Sequence, residues 1–287
     1  MKRLCILIFL GSLVEAESVI TNLTLNQNNT ISSSSSIKNN SNVEQGIIEV
    51  YNSIIRDSTF TFTNKIINSS KIKDNSNIRQ SAINLQNTST IKSSTIILDN
   101  TISDSDIYNT DVDQSIINLN DSLIENSTIN TENIINNITT GGHNTIIQVA
   151  IDLSNKSIIK GSTLTLKNTI DDAYIYNSYI SQSEFIATNA SIVNSTIKIT
   201  NEIIEDSKIT DNSQLIQGKI TVASGVKVEN AEITIESILK STIVENSDVQ
   251  ICGVNINNDY SAELSVTCSD TLIKIDKANV TIGMTTI

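Results

Sequence analysis

The chain has 287 residues, of which 17% are charged, and it carries a formal net charge of −12 with a single His and no Pro or Trp. This acidic balance excludes nucleic acid as an expected partner, because phosphate recognition needs clustered Lys and Arg side chains. No segment beyond the N-terminal region approaches eighteen uninterrupted apolar residues, so the sequence predicts no membrane span.

The first predicted element is a secretory signal peptide over residues 1–16. Two basic residues precede an apolar run over residues 4–14, and residues 14–16, Val-Glu-Ala, offer a small-residue cleavage site. The apolar run is too short to cross a bilayer. We therefore expect a protein that is secreted or displayed on an extracellular surface.

Residues 17–46 are predicted to form a flexible Ser/Asn-rich stalk or an N-terminal cap. They contain an unbroken Ser run at residues 32–36 and few apolar side chains. Large aliphatic residues then recur over residues 47–256, which we expect to form the solenoid described next. Residues 257–287 are predicted to be a C-terminal cap, because the end of a stack of strands exposes unpaired backbone.

A long internal repeat dominates the region 47–256. Residues 94–129 align without a gap with residues 162–197 at an offset of 68, and 17 of the 36 positions are identical. The identical pairs include Asn100/Asn168, Ile107/Ile175, Tyr108/Tyr176, Gln114/Gln182 and Ile129/Ile197. Self-similarity on this scale predicts a stacked solenoid whose units bury their apolar residues against their neighbours.

The smaller unit of the repeat is a small residue, any residue and a large aliphatic residue. The large residues of the first copy are Ile96, Ile102, Ile107, Val112, Ile117, Leu123 and Ile129. Steps of five and six fit neither a helix nor a long alternating strand. They fit short strands that turn one small and one large side chain inward. Asn and Asp, which tolerate left-handed backbone, are expected at the bends and on the solvated face.

The units SDIYN-TDVDQ (residues 105–114) and SYISQ-SEFIA (residues 178–187) read small-x-large-x-x, and in this pattern the chain resembles the pentapeptide-repeat family. The resemblance covers roughly residues 58–249, with six-residue steps interrupting it, and left-handed hexapeptide solenoids share the same motif. It implies an all-β fold, a single-stranded parallel β-helix. The coil would be either quadrilateral and right-handed or triangular and left-handed.

The spacing of paired inward residues favours a coil of about 22 residues with four short sides. Phe60/Phe62 and Ile83/Leu85 are 23 apart, as are Ile197/Ile199 and Ile220/Val222, whereas Ile96/Leu98 and Ile117/Leu119 are 21 apart. We therefore expect a right-handed solenoid of about ten coils, roughly 45–50 Å long. A triangular left-handed coil, which accommodates 33-residue superrepeats, is the alternative.

Two cysteines remain after the predicted signal peptide, Cys252 and Cys268. In an oxidising compartment we expect them to form a disulfide across the C-terminal cap, with two buried thiols as the alternative. No metal site is predicted, because no His lies near them and two thiolates do not complete a tetrahedral shell. No cofactor is predicted.

Candidate catalytic groups are scarce. His143 lies beside two glycines that predict a bulged loop, and the sequence supplies it with no partner nucleophile. The densest carboxylates are Asp171-Asp172 and the series Asp104, Asp106, Asp111 and Asp113, all expected at solvated positions. The sequence therefore predicts a protein without enzymatic activity. The alternative is a polysaccharide-active parallel β-helix enzyme, a lyase or a glycoside hydrolase.

The strongest candidate binding site is a group of tyrosines. Tyr174, Tyr176 and Tyr179 flank inward residues and are expected to face outward within one coil, beside Asp171, Asp172 and Asn177. Exposed aromatic rings with neighbouring polar groups suit stacking on sugars while their hydroxyls are hydrogen-bonded. The alternative is an aromatic patch that covers a corner and binds nothing.

These features predict a secreted structural or adhesive surface protein. Its repetitive polar face would be presented to an extracellular glycan or to a surface protein. End-to-end self-association is a third expected role, because stacked rungs with incomplete caps can pair with another chain.

Overall fold

A computed structural model describes residues 4–10, 18–32, 35–38, 41–204, 206–223, 225–256, 263–276 and 279–286. Side-chain burial and contacts are described only between residues 19 and 251. The described residues form strands and contain no helix, so the predicted all-β class is confirmed.

The strands are, in chain order, β1 (Leu4–Leu10), β2 (Ser18–Thr21), β3 (Thr24–Ile31), β4 (Ser36–Ile37), β5 (Asn42–Tyr51), β6 (Ser53–Arg56), β7 (Thr59–Ile66), β8 (Lys71–Arg79), β9 (Ala82–Gln86), β10 (Thr90–Lys92), β11 (Thr95–Asn120), β12 (Leu123–Glu125), β13 (Thr128–Gly141), β14 (Asn144–Ser154), β15 (Ile158–Lys160), β16 (Thr163–Asp171), β17 (Tyr174–Tyr176), β18 (Ser178–Ser181), β19 (Glu184–Ala187), β20 (Ser191–Val193), β21 (Thr196–Ile204), β22 (Lys208–Thr210), β23 (Gln214–Gln217), β24 (Lys219–Val222), β25 (Lys227–Glu229), β26 (Glu232–Glu245), β27 (Asp248–Ile256), β28 (Glu263–Asp276) and β29 (Asn279–Thr286).

The strands stack in parallel as a β-solenoid of about six turns. One sheet has seven strands, β2-β6-β10-β12-β15-β20-β25, and the other described strands that pair form a second sheet. The seven-stranded sheet shows the length of the coil, because each of its strands lies one turn beyond the last. Its central residues are Ile20, Ile55, Ile91, Ile124, Ile159, Ile192 and Val228. Successive members are 33 to 36 residues apart.

The predicted coil of about 22 residues is therefore wrong, and so is the estimate of ten coils. Ile96 pairs with Ile129 of the next turn, whereas Ile117, which was expected one turn away, lies in the same turn and pairs with Ile151. The small-x-large unit is the same all round the coil, so its spacing does not reveal where the coil closes. The 68-residue repeat is two turns, since Ile129 in turn pairs with Leu164.

The bends between strands are made mainly by Asn and Asp, as predicted. Of the 27 described non-Gly residues with positive φ, 22 are Asn or Asp. These residues adopt left-handed backbone at little cost because their short polar side chains hydrogen-bond locally. At the end of β12, Asn126 (φ 50°) turns the chain so that Ile124 faces inward, fully buried. Leu123, which the sequence analysis placed inward, is half-buried instead.

The interior of each turn is divided into two apolar compartments by a layer of buried amides. In one turn the inward residues run Ile96, Leu98, Asn100, Ile102, Ile107, Val112, Gln114, Ile117, Leu119 and Ile124. The residues between Asn100 and Gln114 belong to one compartment, and those outside them belong to the other.

One half of the amide layer is a ladder of Asn side chains. Its members are Asn29, Asn64, Asn100, Asn133, Asn168 and Asn201, each at most 3% exposed. Every Nδ2 donates to the Oδ1 of the next Asn toward the C-terminus at 2.8 or 2.9 Å. Asn201 ends the ladder by donating to Ser237 Oγ at 3.2 Å. The sequence analysis expected Asn at bends and on the solvated face and did not predict these buried Asn residues.

The other half is a ladder of Gln side chains that runs in the opposite sense. Its members are Gln45, Gln80, Gln114, Gln148, Gln182 and Gln217. Each Nε2 donates to the Oε1 of the preceding Gln, at 3.0 or 3.1 Å in the middle of the ladder. Because an amide carries both a donor and an acceptor, stacking identical amides satisfies both groups without water.

The N-terminal strands pair with the following turn. The strand β1 lies beside β5, with Leu4 opposite Val43, and β2 and β3 lie beside β6 and β7. Cleavage of the proposed signal peptide after residue 16 would remove β1 and leave β2. The signal peptide and the domain boundaries at residues 46 and 256 stay predictions.

Charged side chains stack on the outside of the rod in columns that follow the register. Glu125 lies between Lys92 and Lys160, with Nζ to carboxylate oxygen distances of 2.7 and 3.3 Å. Asp99 instead lies opposite Glu132. Partial burial, and secondly the Glu132 charge, raise the pKa of the Asp99 carboxyl, while Lys65 opposes the shift.

We expect Asp99→Asn to stabilise the fold at neutral pH. A raised pKa means that the folded state holds the proton more tightly than the unfolded state does, so the contribution of Asp99 is complete below its usual value of 3.8 and is lost as pH rises through the raised pKa. The advantage of Asp99→Asn should therefore grow across that window. Urea midpoints measured from acid to neutral pH test this, and a constant difference between the two proteins would contradict it.

Candidate functional site

The predicted tyrosine site lies on β17, where Ile175 points inward and Tyr174 and Tyr176 point outward. Each of the two rings is 40% exposed. Left-handed corners at Asp172 (φ 46°) and Asn177 (φ 47°) bound the strand, which is why the two tyrosines share one flat face.

Tyr179 belongs to the adjoining face, beyond the Asn177 corner. It lies on β18 and is half-buried. Burial, and secondly the nearby Glu184 carboxylate, raise the pKa of the Tyr179 hydroxyl, while Lys219 opposes the shift. The structure therefore brings together two of the three predicted tyrosines. Asp171 ends β16 on the far side of Asp172 and is half-buried.

Strand register extends the face of Tyr174 and Tyr176 over five rungs. One outward column contains Lys71, Asp106, Thr139, Tyr174 and Lys208. A neighbouring column contains Lys73, Tyr108 and Gly141, and Tyr176 lies two residues after Tyr174 on the same face. We call these nine residues the tyrosine face.

Tyr108 is the member of the tyrosine face that the sequence analysis missed. Its ring is 52% exposed, more than the ring of any other described Tyr. The signal was present, because Tyr108 and Tyr176 are an identical pair at the offset of 68. The predicted coil of 22 residues concealed this relation, since only a 68-residue repeat of two turns puts both rings on one face, two turns apart.

A groove of about 530 Å³ adjoins Tyr108. Its lining includes Lys71, Lys73, Asp74, Asp106 and Gly141. It thus offers two cations, two carboxylates and one aromatic ring within one concave surface. Such a mixture of apolar and convergent polar groups is typical of small-ligand sites.

Lys208 lies at the end of the tyrosine face that is farther from the groove. Its Nζ lies 5.6 Å from the centroid of the Tyr174 ring, within range of a cation–π contact. The same Nζ lies 3.3 Å from Glu245 Oε2. Lys208 therefore supports the Tyr174 ring from one side while its charge is balanced by Glu245.

His143 and the aspartate series lie on the outside of the rod. At His143 the chain does not leave the coil as a loop. Gly142 (φ 78°) makes a corner that holds one extra residue, since the register changes from Tyr108 opposite Gly141 to Asp111 opposite Thr145, and the His143 N–H donates to Asn109 Oδ1 at 3.0 Å. The carboxylates of Asp104, Asp106 and Asp111 are exposed as expected, whereas Asp113 is half-buried.

Asp113 lies beside Arg79, and the Arg79 Nε is 4.0 Å from the Asp113 Oδ2.

Within the described side chains no group of three or more His, Cys, Asp or Glu residues could hold a metal ion. The described residues also contain no helix long and apolar enough to cross a bilayer. Cys252 and Cys268 lie on β27 and β28, but the predicted disulfide concerns side chains outside the described ones.

No protein family matches the chain, and no curated protein does. Solved structures that are weakly similar to the chain include the following three. The A-module of a mannuronan C-5 epimerase from Azotobacter vinelandii matches at 11% identity over 86% of this chain and 90% of that one, with a TM-score of 0.17. PfbA, a surface adhesin of Streptococcus pneumoniae, matches at 10% identity over 90% and 85%, with a TM-score of 0.13. A mannuronic acid specific polysaccharide family 6 lyase from human gut microbiota matches at 9% identity over 90% and 82%, with a TM-score of 0.11.

These comparisons correct the prediction that the chain has no enzymatic activity, because an epimerase and a lyase are found among the similar structures beside the adhesin. With TM-scores of 0.11 to 0.17, the matches assign no activity to this chain. No family match supports the narrower resemblance to pentapeptide repeats. The parallel solenoid itself is shown by the pairing of the strands.

Proposed function

We propose that this chain is a secreted adhesive rod whose tyrosine face binds an extracellular glycan. The observation that carries the proposal is the exposure of Tyr108, Tyr174 and Tyr176 on one face, because the other exposed large hydrophobic side chains among the described residues, Val19, Tyr51 and Ile158, lie elsewhere on the rod. Large aromatic rings lose apolar contact with water when a sugar covers them, and the neighbouring Asp106 and Thr139 can hydrogen-bond its hydroxyls.

The test is binding of the full chain to a panel of glycans and cell surfaces, with Tyr174→Ala/Tyr176→Ala as the variant. Both side chains are exposed, so the variant should keep the fold, and we expect its affinity to fall about tenfold or more. Tyr51→Ala is the matched control, because Tyr51 is 37% exposed but lies in another column, opposite Gln86.

Equal loss in Tyr51→Ala would show that any exposed tyrosine matters and would count against the site. Selective capture of a surface protein, lost in the double variant, would keep the site but replace the glycan with a protein partner. Light scattering of the unliganded chain separates both results from end-to-end association.

A second candidate function is the processing of a polysaccharide. It is favoured by the groove beside Tyr108, where Asp74 and Asp106 accompany Lys71 and Lys73. Glycoside hydrolysis requires two carboxylates beside the scissile bond, and a groove supplies the concave surface for them. Release of reducing ends or unsaturated sugars, abolished in Asp106→Asn and retained in Asp121→Asn at an exposed corner, would establish this candidate.

A further inference from the structure

We infer that the ligand of the tyrosine face is an uncharged linear polysaccharide that runs along the rod axis, across successive rungs, and that Gly141 positions Tyr108 for it. This inference rests on the proposed function. It adds the orientation of the ligand, its charge class and the role of Gly141 in placing the Tyr108 ring.

The orientation follows from the column of Asp106, Thr139 and Tyr174, because Tyr108 and Tyr176 each lie two residues beyond its two end members. Tyr108 and Tyr176 are two rungs apart, which is about 10 Å at the usual strand spacing. That separation is comparable with the length of a disaccharide unit in an extended glycan. A polymer parallel to the axis would therefore meet a ring at every second sugar.

A residue larger than Gly does not fit at position 141, because the Tyr108 ring lies too close to its backbone. Unlike Gly46, Gly142, Gly161, Gly218 and Gly225, it has no positive φ, so its backbone would accept another residue. A Cβ at Gly141 would lie 2.6 and 2.7 Å from Cε2 and Cδ2 of Tyr108. A Cβ at Gly142 would lie 3.2 Å from Cε1 of the same ring.

The Tyr108 ring thus extends along the rod axis, over the two adjacent glycines and toward Tyr176. The chain has only nine Gly, and two of them, Gly141 and Gly142, leave room for the Tyr108 ring. Tyr108 is the most exposed of the described tyrosines. Gly141 is a positioning residue, since it acts on a ligand only through Tyr108.

The charges of the site favour an uncharged polymer. Lys71 and Lys73 are balanced by Asp74 and Asp106 around the groove. Lys208, at the other end, is paired with Glu245. A polyanion would find no excess of positive charge here, and the rod as a whole is acidic.

The length of the tyrosine face indicates how long a bound glycan must be to cover it. Lys71 and Lys208 are separated by four rung steps, roughly 19 Å at the usual strand spacing. A hexasaccharide covers this distance, whereas a disaccharide reaches at most two of the exposed rings.

The experiment is calorimetric titration of the full chain with cellohexaose, xylohexaose and mannohexaose, and with the corresponding disaccharides. We expect at least one hexasaccharide to bind about tenfold or more tightly than its disaccharide. Tyr108→Ala should remove that advantage. Gly141→Ala should weaken the hexasaccharide several-fold, and adding it to Tyr108→Ala should cause no further loss, because Gly141 acts through the Tyr108 ring.

The thermal midpoints of the variants separate this role from a merely structural one, in which Tyr108 covers Gly141 to support the sheet. A structural role predicts lower midpoints for Tyr108→Ala with unchanged affinity per folded molecule, and this result would overturn the inference. Wild-type affinity in the Tyr108 and Gly141 variants, with loss only in Tyr174→Ala/Tyr176→Ala, would overturn the inference and leave the proposed function intact.

Two other results would also overturn the inference. One is that no neutral hexasaccharide binds; the other is that polygalacturonate binds in place of all three. The proposed function itself fails in a different way, if Tyr174→Ala/Tyr176→Ala binds every glycan and cell surface of the panel as the wild type does.

Discussion

Replacing Asn133 by Leu should destabilise the solenoid by about 3–5 kcal/mol. The Oδ1 of Asn133 accepts hydrogen bonds from Asn100 Nδ2 at 2.8 Å and Ser115 Oγ at 2.9 Å. Its Nδ2 donates to the Gln148 carbonyl and to Asn168 Oδ1, both at 2.9 Å. A Leu side chain would remove all four bonds. Asn100 Nδ2 would keep its bonds to the Gln114 carbonyl and Ser115 Oγ, whereas Asn168 Oδ1 would lose its Asn133 donor. Each buried group left unsatisfied costs on the order of 1–3 kcal/mol.

The matched control is Asn130→Leu, on the same strand but facing outward and half-buried. A surface substitution of this kind should change the free energy of unfolding by no more than about 0.5 kcal/mol. Urea unfolding followed by circular dichroism measures both. Equal stability of the two variants would show that the Asn ladder contributes nothing beyond filling space.

The second large effect is expected for Phe185→Ala, at about 3–5 kcal/mol. Phe185 is fully buried and lies between Ile151 of the preceding turn and Ile220 of the following one. Removing the ring leaves a cavity that these two neighbours cannot fill, because strand pairing fixes their backbones on both sides.

Ile186→Ala is the control for Phe185→Ala, since Ile186 is the adjacent outward residue and is only half-buried. Its effect should be about 0.5 kcal/mol. Comparable urea midpoints for the two alanine variants would contradict the assignment of Phe185 to the interior.

The parallel solenoid could be predicted from local features of the sequence. The small-x-large unit sets which side chains face inward, and Asn or Asp at bends such as Asn126 supplies the left-handed backbone. Neither feature says after how many units the coil closes. That number depends on the angles at every corner of the turn, so the coil of 33 to 36 residues could not be obtained from unit spacing.

The amide ladders escaped prediction for a related reason. A buried Asn such as Asn100 occupies the same kind of position in the unit as an exposed one, and its partners are 33 and 36 residues away. Only the register between turns distinguishes them. The stacked amides bond to one another in the interior, apart from the unpartnered Gln217 Oε1 at the end of the Gln ladder, so hydrophobicity alone gives the wrong side of the strand.

Sequence analysis found only part of the candidate site, because it did not give the register between turns. Tyr174 and Tyr176 are two residues apart in the sequence, so local alternation sufficed to place them together on the surface. Tyr108 and Gly141 join them only through the length of the coil. The Gly141-Gly142 pair was interpreted as a loop because two glycines usually mark one, whereas in the structure they give room to a ring of the preceding turn.

The most direct test of the central claim is hydroxyl-radical footprinting of the tyrosine side chains, with and without the tightest-binding neutral hexasaccharide. The tyrosine face predicts that Tyr108, Tyr174 and Tyr176 lose reactivity together when the sugar binds, while exposed Tyr51 keeps its reactivity. Protection of Tyr51 instead, or of Tyr174 and Tyr176 with no change at Tyr108, would contradict a glycan lying along the rod axis on this face.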